Sequence, residues 1–98
     1  MIRVKKIFTE NELCGLEVKG HANSDEHGKD LVCAGVSSII TGGFNALVKD
    51  EIEEITLEEG YAKVVVKSDA NYSRIVLDVM LTQLLTIEES YPQNINIK

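Results

Sequence analysis

The sequence is poor in the features that mark several large classes of protein. Its 98 residues include one proline and two cysteines. With 44% hydrophobic residues and so little proline, the composition is that of a folded chain rather than a disordered one. No apolar run is long enough to span a bilayer, and residues 1–8 are charged, without the apolar segment of a signal peptide. We therefore expect one domain, residues 1–98, located in the cytoplasm.

A basic stripe interleaved with aromatic side chains is also missing. Lys and Arg number 10 against 16 Asp and Glu, which gives a net charge of −6. The one small basic cluster consists of Arg3, Lys5 and Lys6. Because phosphate contacts supply most of the affinity of a nucleic-acid binder, direct nucleic-acid binding is not expected. An acidic surface instead favours basic partners through long-range steering.

The two cysteines, Cys14 and Cys33, lack the spacing of zinc ligands, since neither Cys-x-x-Cys nor His-x3-His occurs. In a chain without an export signal, free thiols are expected rather than a disulfide. Cys14 falls on the apolar side of an alternating segment, and buried thiols behave as small hydrophobic residues. Cys14 is therefore predicted to be structural, and neither a metal nor an organic cofactor is expected.

Hydrophobic periodicity predicts the element order β-β-α-β-β-α-β. A proline at position 92 ends the last helix. The simplest packing is an α+β fold of two layers, a mixed sheet with two helices on one face. The predicted strands cover 2–8, 13–19, 51–58, 61–67 and 95–97, and the predicted helices run from Leu31 to about Lys49 and from a capping region at 68–71 to about Tyr91.

Each predicted helix has a feature that packing into a small core does not explain. The first contains three glycines, and the second has an unusually wide apolar face. Gly35, Gly42 and Gly43 each cost about 1 kcal/mol of helix propensity relative to alanine. We expect the first helix to approach the sheet, or another subunit, closely enough to offset that cost. The main apolar stripe of the second helix runs from Tyr72 to Ile87 and is widened by further leucines. This width is equally consistent with a homodimer face and with a fully used core stripe.

The segment between the second strand and the first helix holds both histidines and Cys33. It is predicted as a strand end, a glycine-bearing loop and a helix start, which places Cys33 in the first helical turn. The partial positive charge of a helix N-terminus stabilises a thiolate, and its unpaired amides can hold an oxyanion. His21, which closes the second strand, is the candidate base for the thiol proton. The alternative for His21 is a surface histidine at a strand end.

For residues close to Cys33 and His21, a role in supporting catalysis is weighed against an ordinary structural role. Asp30 caps the helix through its first amides, or it orients the catalytic histidine. Ser37 lies one turn after Cys33 and either hydrogen-bonds into the site or returns its hydroxyl to a helix carbonyl. Ala34 leaves the approach to the thiol uncrowded. His27 lies among polar residues and is interpreted as a loop residue rather than a catalytic base.

A combined motif links the strand end to the helix: Gly20-His21-Ala22, then Gly28-x-Asp30-x-Val32-Cys33-Ala34-Gly35-Val36-Ser37. It resembles the ribosomal-processing cysteine proteases of Firmicutes and related bacteria, the Prp family, over essentially the whole chain. The resemblance implies that Cys33 is the nucleophile and His21 the catalytic histidine, with motif positions at Gly20, Asp30 and Ser37. It also implies removal of a short N-terminal extension from large-subunit ribosomal protein twenty-seven, a homodimer, and a loop that moves when peptide binds.

Two hypotheses of different class follow. In the first, the chain is a cytoplasmic cysteine endopeptidase in which Cys33 attacks the scissile carbonyl and His21 acts as base and then acid. In the second, it is a non-enzymatic ribosome-associated binding module in which Cys33 is incidental. A thiol redox sensor is the weaker third alternative, because its resolving cysteine would have to be the core residue Cys14. Alkylation of Cys33 at neutral pH separates a reactive thiol from an inert one.

Overall fold

The computed structural model describes residues 1–20 and 27–98, and for residues 27–30 it describes the backbone alone. The predicted β-β-α-β-β-α-β order is confirmed, and with it the α+β class. Within the described residues, no helix combines the length and hydropathy needed to cross a membrane. The elements are β1 (Ile2–Thr9), β2 (Glu12–Lys19), α1 (His27–Ala46), a short 3₁₀ helix (Lys49–Glu51), β3 (Ile52–Glu58), β4 (Tyr61–Val66), α2 (Asn71–Ser90) and β5 (Ile95–Ile97).

The strands form one mixed sheet in the order β3-β4-β2-β1-β5. Two hairpins make up most of it: β1 pairs antiparallel with β2, and β3 with β4. Glu10 and Asn11, both with positive φ, form the two-residue turn of the first hairpin, a backbone form that suits the twist of paired strands. β4 then pairs antiparallel with β2, and β5 adds parallel to β1, with Ile95 opposite Ile2.

The core lies between one face of the sheet and the two helices. On α1 the buried positions recur every four residues, so this helix presents one stripe to the sheet. On the strands they alternate, as a half-buried sheet requires. Among the described residues, the buried apolar side chains are Val32, Val36, Ile40 and Phe44 on α1, Ala70 just before α2, Leu77, Met80 and Leu84 on α2, and Ile2, Val4, Cys14, Leu16, Val18, Ala62, Val64, Val66 and Ile95 on the strands.

The bounds of α1 differ from the sequence prediction at both ends. The helix begins at His27, four residues before the predicted start at Leu31, and ends at Ala46 rather than near Lys49. Hydrophobic periodicity marks only the residues that face the core, and the first of these is Val32. The first turn of α1 comes before that residue and therefore leaves no periodic signal.

Gly43 lies where α1 meets α2. A Cβ atom at this position would overlap the side chain of Met80 on α2, so the glycine lets the helices come close together. The close approach expected for this helix is therefore made to α2, whereas the sequence prediction placed it against the sheet or another subunit. The packing contact offsets part of the helix-propensity cost of Gly43.

The N-terminus of α2 is capped from a distance. Ala70 occupies its N-cap position without a side-chain hydrogen bond, so the polar residues predicted to cap it do not do so. Instead the Ser73 amide donates to Glu51 Oε1 (2.9 Å), and the Val48 amide donates to Ser73 Oγ (3.0 Å). Hydrogen bonds from Ser73 lower the pKa of the Glu51 carboxyl. These bonds anchor the 3₁₀ helix and the start of β3 to α2.

The wide apolar stripe of α2 is only partly used by the core. Leu77, Met80 and Leu84 are buried, whereas Tyr72, Ile75 and Val79 are at least half exposed. The sequence prediction put these exposed residues on the same main stripe as Met80 and Leu84, and the structure divides that stripe between the core and the surface. Periodicity alone could not distinguish the two faces because both are apolar.

Candidate active site

A groove of about 250 Å³ opens between α1 and one end of the sheet. α1 forms one wall, and β3, β4 and the turn between them form the other. Ile2, Val18 and Gly20, at the adjoining ends of β1 and β2, complete the lining. The residues of the α1 wall are Cys33, Val36, Ser37, Ile40 and Thr41.

Cys33 lies at the border between the buried stripe of α1 and solvent. It directly follows Val32, which is buried, and its own side chain is half-buried. Cys33, Ser37 and Thr41 are spaced four residues apart, so their side chains follow one another along one face of the helix. That face lines the groove. The thiol is free and accessible from solvent, as a nucleophile must be.

The helical position of Cys33 corrects one sequence expectation. Because α1 begins at His27, Cys33 belongs to its second turn rather than its first. Only the first four amides of a helix lack intrahelical acceptors, and the effect of the helix dipole is concentrated in the first turn. The prediction that the turn holding Cys33 offers unpaired amides for an oxyanion is therefore wrong.

Gly20 closes β2 at one end of the groove. Its φ is 99°, a conformation that residues with a Cβ atom rarely adopt. A Cβ atom there would also lie 2.5 Å from the Met1 carbonyl oxygen. Its amide donates to the Gly60 carbonyl (3.0 Å) in the β3–β4 turn. Gly20 thus ties the end of β2 to the β3–β4 turn and lies close to the residue that precedes β1.

The remaining predicted site residues have different outcomes. Ser37 is exposed and lines the groove with Cys33, whereas Ala34 is exposed and lies outside the lining. Asp30 lies within the first turn of α1, so the prediction that it caps this helix is wrong, and its side chain lies outside the described part. His27 is the first residue of α1 rather than a loop residue. His21 lies outside the described residues, and its pairing with the cysteine stays a prediction.

Cys14 is buried in the core, as predicted, with 3% of its surface exposed. Its sulfur lies 3.2 Å from Thr9 Oγ1. It does not line the groove, and both cysteines are free thiols. The structural role predicted for Cys14 is consistent with this position.

The β3–β4 turn contributes residues that sequence analysis missed. Leu57, Glu58 and Glu59 line the wall that faces Cys33. The sequence identifies a turn here, but only the strand order places that turn beside the end of β2. On the opposite face of the sheet, the Tyr61 hydroxyl donates to Glu17 Oε2 (2.7 Å), which lowers the pKa of Glu17 and raises that of Tyr61.

Comparison with known proteins gives a consistent result. The family described as cysteine protease Prp matches residues 1–96. The ribosomal processing cysteine protease Prp of Staphylococcus aureus (strain Mu50 / ATCC 700699) is 33% identical over 93 residues, covering 90% of this chain and 88% of the relative. The protein of the same name from Bacillus subtilis (strain 168) is 30% identical over 94 residues, covering 87% and 84%.

Two solved structures are similar over the whole chain. One is a crystal structure of an essential ribosomal processing protease Prp from S. aureus in complex with a substrate peptide, with a TM-score of 0.86 and 29% identity. The other is the S. aureus protease in complex with a covalently linked product peptide, with a TM-score of 0.83 and 30% identity. Each comparison covers 100% of this chain and 98% of the other.

Proposed function

The chain belongs to the cysteine protease Prp family, and on that premise we propose that it removes the short N-terminal extension of large-subunit ribosomal protein twenty-seven. The match over residues 1–96 is the observation that carries the proposal. The relatives are named as ribosomal processing enzymes, and the S. aureus protease has been crystallised with a substrate peptide. A half-buried thiol in an open groove is the arrangement that a cysteine endopeptidase needs.

Cys33 is the nucleophile in this proposal and His21 is the general base. His21 takes the thiol proton as the sulfur attacks the scissile carbonyl carbon, which gives a tetrahedral intermediate. Collapse of that intermediate breaks the peptide bond, and the imidazolium returns the proton to the leaving amine. The acyl group is then a thioester on Cys33, and water activated by the same histidine hydrolyses it and frees the thiol. No metal or organic cofactor enters this sequence of steps.

Four further residues support the reaction in the proposal. Ser37 presents its hydroxyl in the groove one turn after Cys33, where it can hydrogen-bond the peptide. Gly20 fixes the backbone from which His21 follows. Asp30 orients the imidazole, and the small side chain of Ala34 leaves space beside the thiol.

The substrate and the location fit the charge of the chain. The net charge of −6 attracts a basic ribosomal protein by long-range steering, and it disfavours direct contact with nucleic acid. We place the reaction in the cytoplasm, where ribosomal proteins are made and assembled. The partner is therefore the extension peptide of the ribosomal protein.

We also propose that the protein is a homodimer through the exposed side of α2. Tyr72, Ile75 and Val79 form an apolar strip on this helix. The strip borders a cleft of about 320 Å³ that reaches Gly43 and Ala46 on α1. A contiguous apolar strip on a small domain is typical of a protein contact, and a second copy of the chain offers a self-complementary surface.

Cleavage of a synthetic peptide that spans the extension tests the proposed reaction. Mass spectrometry should show the two product peptides with the wild-type protein and none with Cys33→Ala or His21→Ala. Cys14→Ala and His27→Gln, which replace the other thiol and the other imidazole, are the matched controls and should cleave. Full cleavage by Cys33→Ala or His21→Ala would refute the assignment, and a peptide that binds to the wild type without being cut would favour the binding-module alternative.

A further inference from the structure

We propose that the outer face of the sheet, the face turned away from α1 and α2, docks an extended acidic segment of another protein that also carries an apolar side chain. This surface is separate from the proposed protease reaction and does not depend on it. The groove that contains Cys33 lies between α1 and the sheet, on the other side. The acidic segment and a peptide in the groove can therefore be bound at the same time.

The outer face is built from alternate residues of the strands. Successive strand residues point to opposite faces of a sheet, and directly opposed residues of neighbouring strands share a face. Three rows of such residues cross β1, β2 and β4. The rows are Arg3, Lys19 and Tyr61; Lys5, Glu17 and Lys63; and Ile7, Gly15 and Val65. The buried strand residues and the buried stripes of both helices meet on the opposite face, so the helices leave these rows uncovered.

The three rows carry more positive than negative charge, unlike the chain as a whole. They hold four cations against one carboxylate, whereas the net charge of the chain is −6. That carboxylate, Glu17, accepts a hydrogen bond from the Tyr61 hydroxyl (2.7 Å) and lies 3.8 Å from Lys19 Nζ. On the next strand Lys63 Nζ lies 3.2 Å from Glu54 Oε2 of β3. The carboxylate among the cations is therefore already engaged.

Arg3 and Lys5 on β1 are the cations that remain free. Both are exposed, and within the described residues neither forms an ion pair. The edge strand β3, whose Glu58 shares the outer face, lies three strands from β1, roughly 14 Å away. Residues two apart on a strand are about 6.6 Å apart, which is also the spacing of alternate residues in an extended peptide. Carboxylates at alternate positions of an extended segment therefore match Arg3 and Lys5.

The third row adds an apolar patch beside these cations. Ile7 and Val65 lie on the strands that flank β2, and Gly15 lies between them. The Ile7 side chain extends over the glycine, since its Cδ1 atom would be 3.3 Å from a Cβ placed there. Ile7 and Val65 are half-buried and so keep apolar surface that a partner can cover. Along β1 the order Arg3, Lys5, Ile7 thus predicts a partner with the pattern acidic-x-acidic-x-apolar.

The same features favour a polypeptide over an RNA strand. Proteins that bind single-stranded RNA combine cations along the backbone with aromatic rings on which bases stack. Tyr61 is the one aromatic residue of the three rows, and the Lys19 ammonium lies over its ring, 6.0 Å from the centroid. Two free cations neutralise few phosphates, and the net charge of −6 opposes a long polyanion. An acidic segment with an apolar side chain uses both the cations and the apolar patch.

Titration of the ¹⁵N-labelled protein with the peptide Gly-Ser-Glu-Ser-Glu-Ser-Leu-Ser-Gly, followed by NMR amide shifts, tests the proposal. The shifts should saturate with a dissociation constant of about 1 mM or tighter. They should be largest at Lys5, Ile7 and Val65 and small at Ser37 and Thr41, which line the groove. Replacing the leucine of the peptide by serine should weaken binding at least about twofold, because the apolar patch then stays uncovered.

Matched variants separate this surface from general attraction between charges. Lys5→Gln should weaken binding at least about threefold, as expected for the loss of an exposed ion pair. Lys49→Gln removes the same charge from an exposed residue of the 3₁₀ helix and should change binding less than twofold. Val65→Thr, which keeps the shape of the side chain, should weaken binding of the leucine peptide and leave that of the serine peptide unchanged. If a variant fails to fold, the shifts of the wild-type protein decide.

Five results would overturn the proposal. These are shifts that do not saturate or that centre on Ser37 and Thr41, equal losses in Lys5→Gln and Lys49→Gln, and displacement of the probe by excess extension peptide. Tighter binding of a nine-residue oligouridine would assign the face to RNA instead. Self-association in light scattering that Lys5→Gln abolishes would assign it to a contact between copies. Failure of the protein to cleave any peptide would refute the protease proposal and leave these binding results unaffected.

Discussion

Gly20→Ala should destabilise the protein strongly, although it adds a single methyl group. The φ of 99° is a conformation that costs an alanine about 1–2 kcal/mol. The new Cβ atom would lie 2.5 Å from a backbone oxygen of Met1, and overpacking of this kind costs roughly 1–3 kcal/mol. The backbone would have to move to relieve the contact, which would break the hydrogen bond to Gly60. We expect a loss of about 2–4 kcal/mol in the free energy of unfolding.

Gly42→Ala is the matched control for this substitution. Gly42 lies inside α1, and a Cβ atom there would have nothing within 4 Å. Alanine should therefore stabilise the protein by up to about 1 kcal/mol through helix propensity. Urea unfolding followed by circular dichroism gives both values, and the two variants should shift the midpoint in opposite directions. Equal midpoints, or a Gly20→Ala protein as stable as the wild type, would refute the reasoning about the end of β2.

Two further predictions concern the surface. Ile75→Glu should convert the proposed dimer to a monomer in size-exclusion chromatography with light scattering, whereas Gln93→Glu, which adds the same charge at an exposed site outside the strip, should not. The Tyr61 hydroxyl holds the pKa of Glu17 below its ordinary value of 4.5, so this hydrogen bond stabilises the fold above that pH and loses its effect as the pH falls through the lowered pKa. Tyr61→Phe should therefore be less stable than wild type at pH 7, and the difference should shrink as the pH falls below 4.5 and through the lowered pKa of Glu17; a difference that stays the same as the pH falls would contradict this.

The sequence predicts the strands well because alternation reports directly on a half-buried sheet. Cys14, for example, is predicted in the core and lies there. The helices are harder because periodicity identifies only what faces the core. Because α1 begins at His27, before the first residue that faces the core, Cys33 lies in the second turn of the helix rather than in the expected first turn.

The site could be predicted only in part, for a related reason. The motif pointed to Gly20, Cys33 and Ser37, and the structure brings these three together in one groove. Leu57 was missed because its position beside that groove depends on the order of strands in the sheet, and no local pattern encodes that order. Sequence patterns are local, whereas a groove wall is assembled from segments far apart in the chain.

The parallel pairing of β5 with β1 has a consequence for how the protein is made. Ile2 and Ile95 are neighbours in the sheet but lie at the two ends of the described chain. During synthesis β1 can pair with β2 early, yet its other edge stays open until residues 95–97 have left the ribosome. An open edge of this kind invites pairing with other chains. A nascent chain stopped before Ile95 should therefore aggregate through β1, and completing the last three-residue strand protects the protein from this.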